Sequence, residues 1–240
     1  MDIPKSVVIL GAGGMAHIVY WQLRETTGVE EFVFIEDESD RKLLDLQDGD
    51  RPIVKDWNLA AARTAARTPD PFRYFTLAVS DPIYKKRFIE KAIAHGLKPA
   101  PTFIHPMASI NGPRNIGRGG LIAGNTSVMP VTEIGDYVTM APMASVGHHC
   151  TVGRYTFLAA GAVVLGNVHM GEGVWIGGGA CVRERLHIAP WSVVGAQGLL
   201  TREVTEAGTV LAGVPARPLP EQSERYRQTV GLDSTKAAAR

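Results

Sequence analysis

Residues 139–170 read TMAPMASVGHHCTVGRYTFLAAGAVVLGNVHM, and every sixth residue is aliphatic: Met140, Val146, Val152, Leu158, Val164 and Met170. Followed outward, the period runs from Ile104 to Leu200, seventeen positions without a polar residue or an insertion. With 45% of the chain apolar, chance gives such a run about once in 10⁶ trials. Glycine follows the aliphatic residue at 117, 135, 147, 153, 171, 177 and 195. Four residues after it come small or β-branched side chains, among them Thr126, Ala144, Cys150 and Ala162. An α-helix cannot satisfy a period of six, and an ordinary strand alternates with a period of two. Three six-residue units instead close one triangular coil. In it the aliphatic residue points inward at each corner, the small residue shares the interior, and glycine permits the turn backbone. Successive coils then stack about 4.8 Å apart. This is the hexapeptide β-helix.

The first hundred residues have a different texture. Ser6 to Leu10 is a β-branched run ended by Gly11-Ala12-Gly13-Gly14, and residues 15–24 carry helical spacing through Met15, Ile18, Val19 and Leu23. A second strand is expected over Phe32–Ile35, a helix over Ala60–Ala66 and a strand over Tyr74–Val79. A helix follows from Asp81-Pro82 to Gly96, with start and stop signals in the right order. Strands alternating with helices argue a parallel βαβ sheet. Beyond about Glu203 the hexapeptide register ends, and AGTVLAGVPARPL (207–219) supplies one last strand and a segment that covers the open end of the β-helix. The expected organisation is an α/β N-terminal Rossmann-like domain over residues 1–101 and an all-β parallel β-helix over 102–219. The polar tail, 220–240, is expected to be mobile or weakly helical.

Composition excludes several classes. With 25 basic and 24 acidic residues the net charge is +1, which gives no electrostatic case for nucleic acid or an anionic membrane. No run approaches the ~18 apolar residues of a membrane span. The start lacks a signal peptide's charged leader and cleavage site. Cys150 and Cys181, in no metal-binding spacing, read as reduced thiols. A cytoplasmic protein is therefore expected.

A βαβ domain opening with GAGG (11–14), joined through FIHPMASI (103–110) to a hexapeptide domain that closes with GVPARPL (213–219), resembles a known group. It is similar to the NeuD/PglD-type nucleotide-sugar N-acetyltransferases of the hexapeptide-repeat acyltransferase superfamily. The resemblance spans about residues 6–219 and supplies what the residues alone do not, a left-handed coil. It implies a homotrimer with acetyl-CoA in the cleft between neighbouring subunits. The implied acceptor is a nucleotide-linked amino sugar, a 4-amino-4,6-dideoxy sugar, held by the N-terminal domain. A turn histidine, normally followed by an acidic residue, acts as general base; the matching element is Val146-Gly147-His148-His149-Cys150, which makes His148 the base. This chain departs from the pattern twice. His149 stands in place of the acidic neighbour, and Phe157 in place of a second histidine nine residues on.

With three units per coil, His148 stacks under Gly166, whose N–H is then open to a thioester carbonyl arriving beside the imidazole. Base and oxyanion donor in adjacent coils are what amine acylation needs. The plainer reading is an exposed turn histidine, and His149 either orients its neighbour or is simply solvated. The resemblance implies CoA held by main-chain amides near Gly166, Gly178 and Ala196, with Pro215, Ala216 and Arg217 by the adenine; a structural cap explains the latter segment equally well. GAGGMA (11–16) fits a pyrophosphate turn or any tight strand-to-helix turn. Gly11, Ala12, Gly13, Gly14, Glu36, Asp37 and Ser80 make the expected acceptor-binding set. Lys85, Lys86 and Arg87 could reach phosphate, but a solvated helix face is the expectation. No metal is expected: the positions two coils beyond His148 and His149 hold Glu184 and Arg185, and His169 and His187, one coil apart, lack a third partner. An acyltransferase of another acceptor and a non-catalytic nucleotide-sugar-binding trimer are the competing readings.

Overall fold

The computed structural model describes residues 3–36, 53–54, 57–69, 71–112 and 115–232. Its first part is a five-stranded parallel sheet of β1 (Ser6–Leu10), β2 (Glu31–Ile35), β3 (Ile53–Val54), β4 (Tyr74–Leu77) and β5 (Lys98–Pro99), in the order β3-β2-β1-β4-β5. Helices α1 (Gly14–Thr26), α2 (Ala60–Ala65) and α3 (Pro82–Ala94) connect them. The strands read as continuous apolar runs because both faces are covered. Val7, Ile9, Phe32 and Phe34 pack with Ala16, Val19, Tyr20 and Leu23 of α1. On the other face Val8, Leu10, Val33 and Ile35 pack with Ile83, Phe88 and Ile89 of α3. Asp81 caps α3, its carboxylate accepting from the N–H groups of Ile83 (2.8 Å) and Tyr84 (3.4 Å).

Residues 103–211 form a parallel β-solenoid of the left-handed β-helix type. Its two-residue strands line up in three faces. Face I carries 103–104, 121–122, 139–140, 157–158, 175–176, 193–194 and 210–212; face II runs from 109–110 to 199–200, and face III from 115–116 to 187–188. Every strand pairs in register with its counterpart one coil on, as in Val146 to Val164 and Val164 to Val182. The periodic aliphatic residues lie in these flat faces, not at the corners, and from Ile122 to Leu200 they are buried in one continuous core. Ile104, at the open end, is exposed. The small residues fill the corners: Ala144, Ala162 and Ala180 are fully buried.

The glycine after the aliphatic residue has a different task from the expected one. The left-handed backbone falls two residues later, on Tyr137, Met143, His149, Tyr155, Asn167, Arg185, Trp191 and Gln197. At Gly147 the next coil is the constraint: a Cβ there would lie 2.6 Å from the Gly166 nitrogen. Coils stacked at strand spacing leave no room for a side chain at that point.

The sheet domain is packed onto the solenoid. Tyr137, Tyr155 and Trp191, at the corner between faces III and I, stack in a ladder with centroid separations of 5.5 and 6.3 Å, and Phe75 of β4 stacks on Tyr137. On the opposite side of the sheet Phe103 and Leu121 join the α1 cluster, and Gln22 donates to the Ile122 carbonyl at 3.1 Å.

The polar tail begins with a helix, the second of its two expected forms. Pro220–Val230 is helix α4, ended by Gly231 in the left-handed region. Ser223 is buried and its hydroxyl accepts from the Val210 N–H at 2.9 Å, Arg227 pairs with Glu206 at 2.8 Å, and Tyr226 packs against the sheet-domain core. These few contacts dock the helix without an apolar stripe. Residues 233–240 lie outside the described residues. No helix among those described is long and apolar enough to cross a membrane.

Candidate active site

The carboxyl ends of β1, β2 and β4 open onto a cleft of about 330 Å³ lined by Gly11, Gly13, Gly14, Met15, Glu36, Ala78, Val79, Ser80, Asp81, Tyr84 and Phe88. The structure thus brings together Gly11, Gly13, Gly14, Glu36 and Ser80 of the expected set. Gly11 has φ +98° and its Cβ would lie 2.8 Å from Val79, so this turn excludes a side chain both sterically and conformationally. Ala12 is buried behind the cleft, and its N–H donates to a Glu36 carboxylate oxygen at 3.1 Å. Glu36 therefore braces the glycine turn as well as lining the cleft. Asp37 lies outside the described residues. Met15, Tyr84 and Phe88 were not foreseen; they are helix residues whose orientation follows only from docking on the sheet. Another cleft, of about 370 Å³, lies at the amino ends of the strands beside Glu31 and Arg24. Ligands of open parallel sheets bind at the carboxyl ends, which favours the glycine cleft.

His148 and His149 are exposed at the corner between faces II and III, with His149 at φ +56°. Their Nδ1 atoms are 3.0 Å apart and their rings edge to face. One Nδ1 must carry a hydrogen and the other a lone pair. His148 lies against Gly166 in the next coil: a Cβ there would be 2.7 Å from Nε2 and 2.8 Å from Cε1. Glycine at 166 is what leaves room for the imidazole against the backbone.

The N–H two residues after the aliphatic position takes no part in the coil-to-coil main-chain ladder of the described residues; the residue there is proline at 106, 130, 142 and 190, and at Arg118 its N–H donates to the Asp136 carboxylate at 2.7 Å. Among the described residues the N–H groups of Gly166, Gly178 and Ala196 donate to no acceptor, and Ala160, one coil before Gly178, shares this property. Within one chain these donors lie at two corners. Gly166 shares the II–III corner with His148, whereas Ala160, Gly178 and Ala196 form a column at the corner between faces I and II. Pro215 is exposed, but Ala216 is buried in the solenoid core and its N–H donates to the Leu199 carbonyl at 2.7 Å. Ala216 thus closes the end of the prism.

Face II itself carries Ser109, Ser127, Ser145, Val163, Cys181 and Leu199. Apolar side chains stand exposed at its flanking corners, with Met143 61% exposed at one edge and Val131 54% at the other. The thiol at Cys150 is pushed up by burial, partly offset by N–H groups from Val168 and Asn167, which argues against a nucleophilic thiolate. His169 and His187 stack at 5.0 Å, and His187 pairs with Glu203 at 3.3 Å. No group of three or more potential metal ligands occurs among the described residues.

One expectation fails outright. Lys85 is not on a solvated helix face; it is 0% exposed, and its ammonium group points into the solenoid. Lys86 and Arg87 are exposed, as expected of that face.

No family model matches the sequence. Among curated proteins it is 25% identical to the GDP-perosamine N-acetyltransferase of Escherichia coli O157:H7 over 171 residues, covering 69% of this chain and 76% of that one. Among solved structures it is similar to the acetyltransferase domain of PglB from Neisseria gonorrhoeae, at 26% identity and TM-score 0.75, covering 90% of this chain and 100% of the other; that domain is also known in complex with acetyl coenzyme A. PerB from Caulobacter crescentus, in complex with CoA and GDP-perosamine, matches at 25% identity and TM-score 0.75, covering 89% and 97%. Repeat, fold and relatives agree: the sequence relatives and structural neighbours of this chain are nucleotide-sugar N-acetyltransferases of PglB and PerB type, of the hexapeptide-repeat β-helix acyltransferase family.

Proposed function

We propose that this chain is an acetyl-CoA-dependent N-acetyltransferase whose acceptor is the amino group of a nucleotide-linked sugar, a 4-amino-4,6-dideoxy sugar. The observation that carries the reading is the His148 imidazole laid over Gly166, one coil from an unused main-chain donor. With Nδ1 engaged by His149, Nε2 is the free basic edge. It takes the proton as the amine attacks the thioester carbonyl. The Gly166 N–H stabilises the oxyanion of the tetrahedral intermediate, which collapses by releasing the CoA thiolate. No acyl-enzyme is needed. His149 accepts the Nδ1 hydrogen of His148 and so fixes the reactive tautomer. Unlike a carboxylate, it brings no negative charge to offset the imidazolium.

The sheet domain is read as Rossmann-like in use. The glycine turn and the amino end of α1 receive the pyrophosphate, and Glu36, Asp37 and Ser80 hold the nucleoside or sugar. The two separated amide corners support a homotrimer. A neighbour packed along face II would set its column of Ala160, Gly178 and Ala196 against His148 and Gly166, and cover the exposed methionines and valine. CoA would lie in that cleft. A cytoplasmic location follows from the substrate class.

The test is CoA thiol release from acetyl-CoA with a panel of UDP-, GDP- and dTDP-linked amino sugars, with the oligomeric state measured by light scattering. Turnover with one of these and a trimer at micromolar concentration are expected. Turnover only with free amino acids or hydroxyl acceptors would move the reading to another acyltransferase. Nucleotide-sugar binding without turnover would make the chain a binding protein.

A further inference from the structure

A buried lysine joins the sheet domain to the coil that carries His148. Lys85, in the second turn of α3, has its Nζ 2.9 Å from the Thr139 hydroxyl, 3.2 Å from the Thr156 carbonyl, and 3.4 and 3.5 Å from the carbonyls of Tyr137 and Tyr155. All four partners are oxygens able to accept, the set an ammonium group requires when water is excluded. The Phe157 ring lies 5.4 Å away. Burial draws the lysine down to a pKa of about 7, opposed in part by Asp81. A methionine would fill the same space without that penalty, so a bolt made only for packing has no use for the charge.

The positions of the four acceptors matter more than their number. Tyr137 and Thr139 open one coil and Tyr155 and Thr156 open the next, so Lys85 grips both ends of the stretch 139–156. His148 and His149 lie in the middle of that stretch. At the other end of the connection, the Lys85 N–H donates to the Asp81 carbonyl at 2.9 Å, and Ser80, Asp81 and Tyr84 line the glycine cleft.

We infer that Lys85 is a positioning residue, fixing the placement of the acceptor cleft relative to the coil that bears His148. The inference rests on the reaction proposed above. The cleft is lined by the carboxyl ends of β1, β2 and β4 and by Tyr84 and Phe88 of α3. Among the described residues the ammonium group of Lys85 bonds only to the solenoid, so its loss should spoil alignment and leave binding intact. The experiment compares wild type, Lys85→Met, Lys85→Arg and Thr139→Val, using the nucleotide sugar that wild type turns over. Three quantities are read: kcat, KM for acetyl-CoA, and Kd for the matching nucleoside diphosphate by calorimetry.

Lys85→Met is expected to lower kcat at least tenfold with the other two constants within about twofold, because a misplacement on the scale of ~1 Å costs about that or more. Lys85→Arg should recover part of the loss, and Thr139→Val, which keeps the lysine but removes its shortest contact, should lower kcat several-fold. A fall in melting temperature with kcat unchanged would make Lys85 a structural bolt and overturn the inference. Loss of nucleoside diphosphate binding in step with kcat would overturn it too, since Lys85 would then build the cleft. If Lys85→Met does not fold, Thr139→Val decides alone: unchanged kcat refutes the role. Absence of turnover in wild type overturns the proposed function and this inference together, whereas wild-type turnover with an indifferent Lys85 overturns only the latter.

Discussion

Gly166→Ala is the sharpest perturbation of the proposed site, because it adds one methyl group and touches one imidazole. Gly166 has no left-handed backbone to lose, so alanine is conformationally acceptable there. The new Cβ would stand 2.7, 2.8 and 3.2 Å from Nε2, Cε1 and Cδ2 of His148. Ordinary carbon contacts begin near ~3.5 Å, so the ring must retreat by roughly 0.8 Å. The backbone is held against giving way by its carbonyl, which accepts from the Arg185 N–H of the following coil at 3.0 Å. His148 is exposed and can swing out for about 0.5–1.5 kcal/mol of rotamer strain. The melting temperature should therefore hardly change. Displacing a base by this distance costs about 10²-fold in rate, approaching the ~10² to 10⁴ expected for its removal. Steady-state thiol release should show kcat reduced about 10²-fold with KM for acetyl-CoA little altered. The decisive comparison is the double variant: on a His148→Ala background the clash is gone, and Gly166→Ala should cost less than about threefold. Equal losses on both backgrounds would mean that Gly166 acts without His148. A variant with full activity would remove the imidazole from the chemistry.

Other outcomes follow from the same geometry. His148→Ala should cut kcat by about 10² to 10⁴ and His149→Ala by no more than about tenfold, while His149→Glu should hold or raise the rate; a larger loss at His149 would show that the base is the other histidine. Glu36→Ala, which strips the Ala12 N–H of its acceptor, should raise KM for the nucleotide sugar and leave that for acetyl-CoA unchanged. Deleting residues 220–240 exposes the Val210 N–H and the seat of Tyr226, and should lower the melting temperature by about 5–10 °C; an unchanged melting curve would mean that α4 does not dock. Lys85 has a folded pKa of about 7 against an ordinary 10.5, so between those values the unfolded chain binds more protons and this residue makes stability rise with pH. Below about pH 7 its burial penalty is fully present, and Lys85→Met should abolish the rise in denaturant titrations run from pH 7 to 10.

The solenoid was legible because every interior position meets the same surroundings, and a single period of six records them all. The strand-to-helix turn at Gly11–Gly14 and the cap at Asp81 were legible for a related reason: each is decided by a few adjacent residues. The same limit explains the failures. The glycines after the aliphatic residues look like turn formers until the adjacent coil is seen to leave a Cβ at Gly147 only 2.6 Å from the Gly166 nitrogen, a constraint set by a residue more than three units further along the chain. Lys85 has the spacing of a surface lysine on α3, and only the docking of α3 on the solenoid buries it. Helix α4 lacks an apolar stripe because one tyrosine, one serine and one ion pair hold it. The neighbouring histidines were legible as a pair, but not that their Nδ1 atoms meet, which depends on the left-handed backbone at His149.

Repeat proteins usually tolerate the gain or loss of a whole unit, since each coil asks only for a like coil above and below. Here that freedom is cancelled by the passenger. The sheet domain is moored at three heights along the prism: Gln22 at Ile122, Lys85 at the coils opening with Tyr137 and Tyr155, and Tyr226 of α4 beyond the last coil. An extra coil inserted anywhere between Ile122 and Leu211 would preserve every hexapeptide rule and still tear at least one mooring loose. The domain thus acts as a gauge block that fixes how many coils this solenoid can have, and lineages of this architecture should vary in length only outside that span.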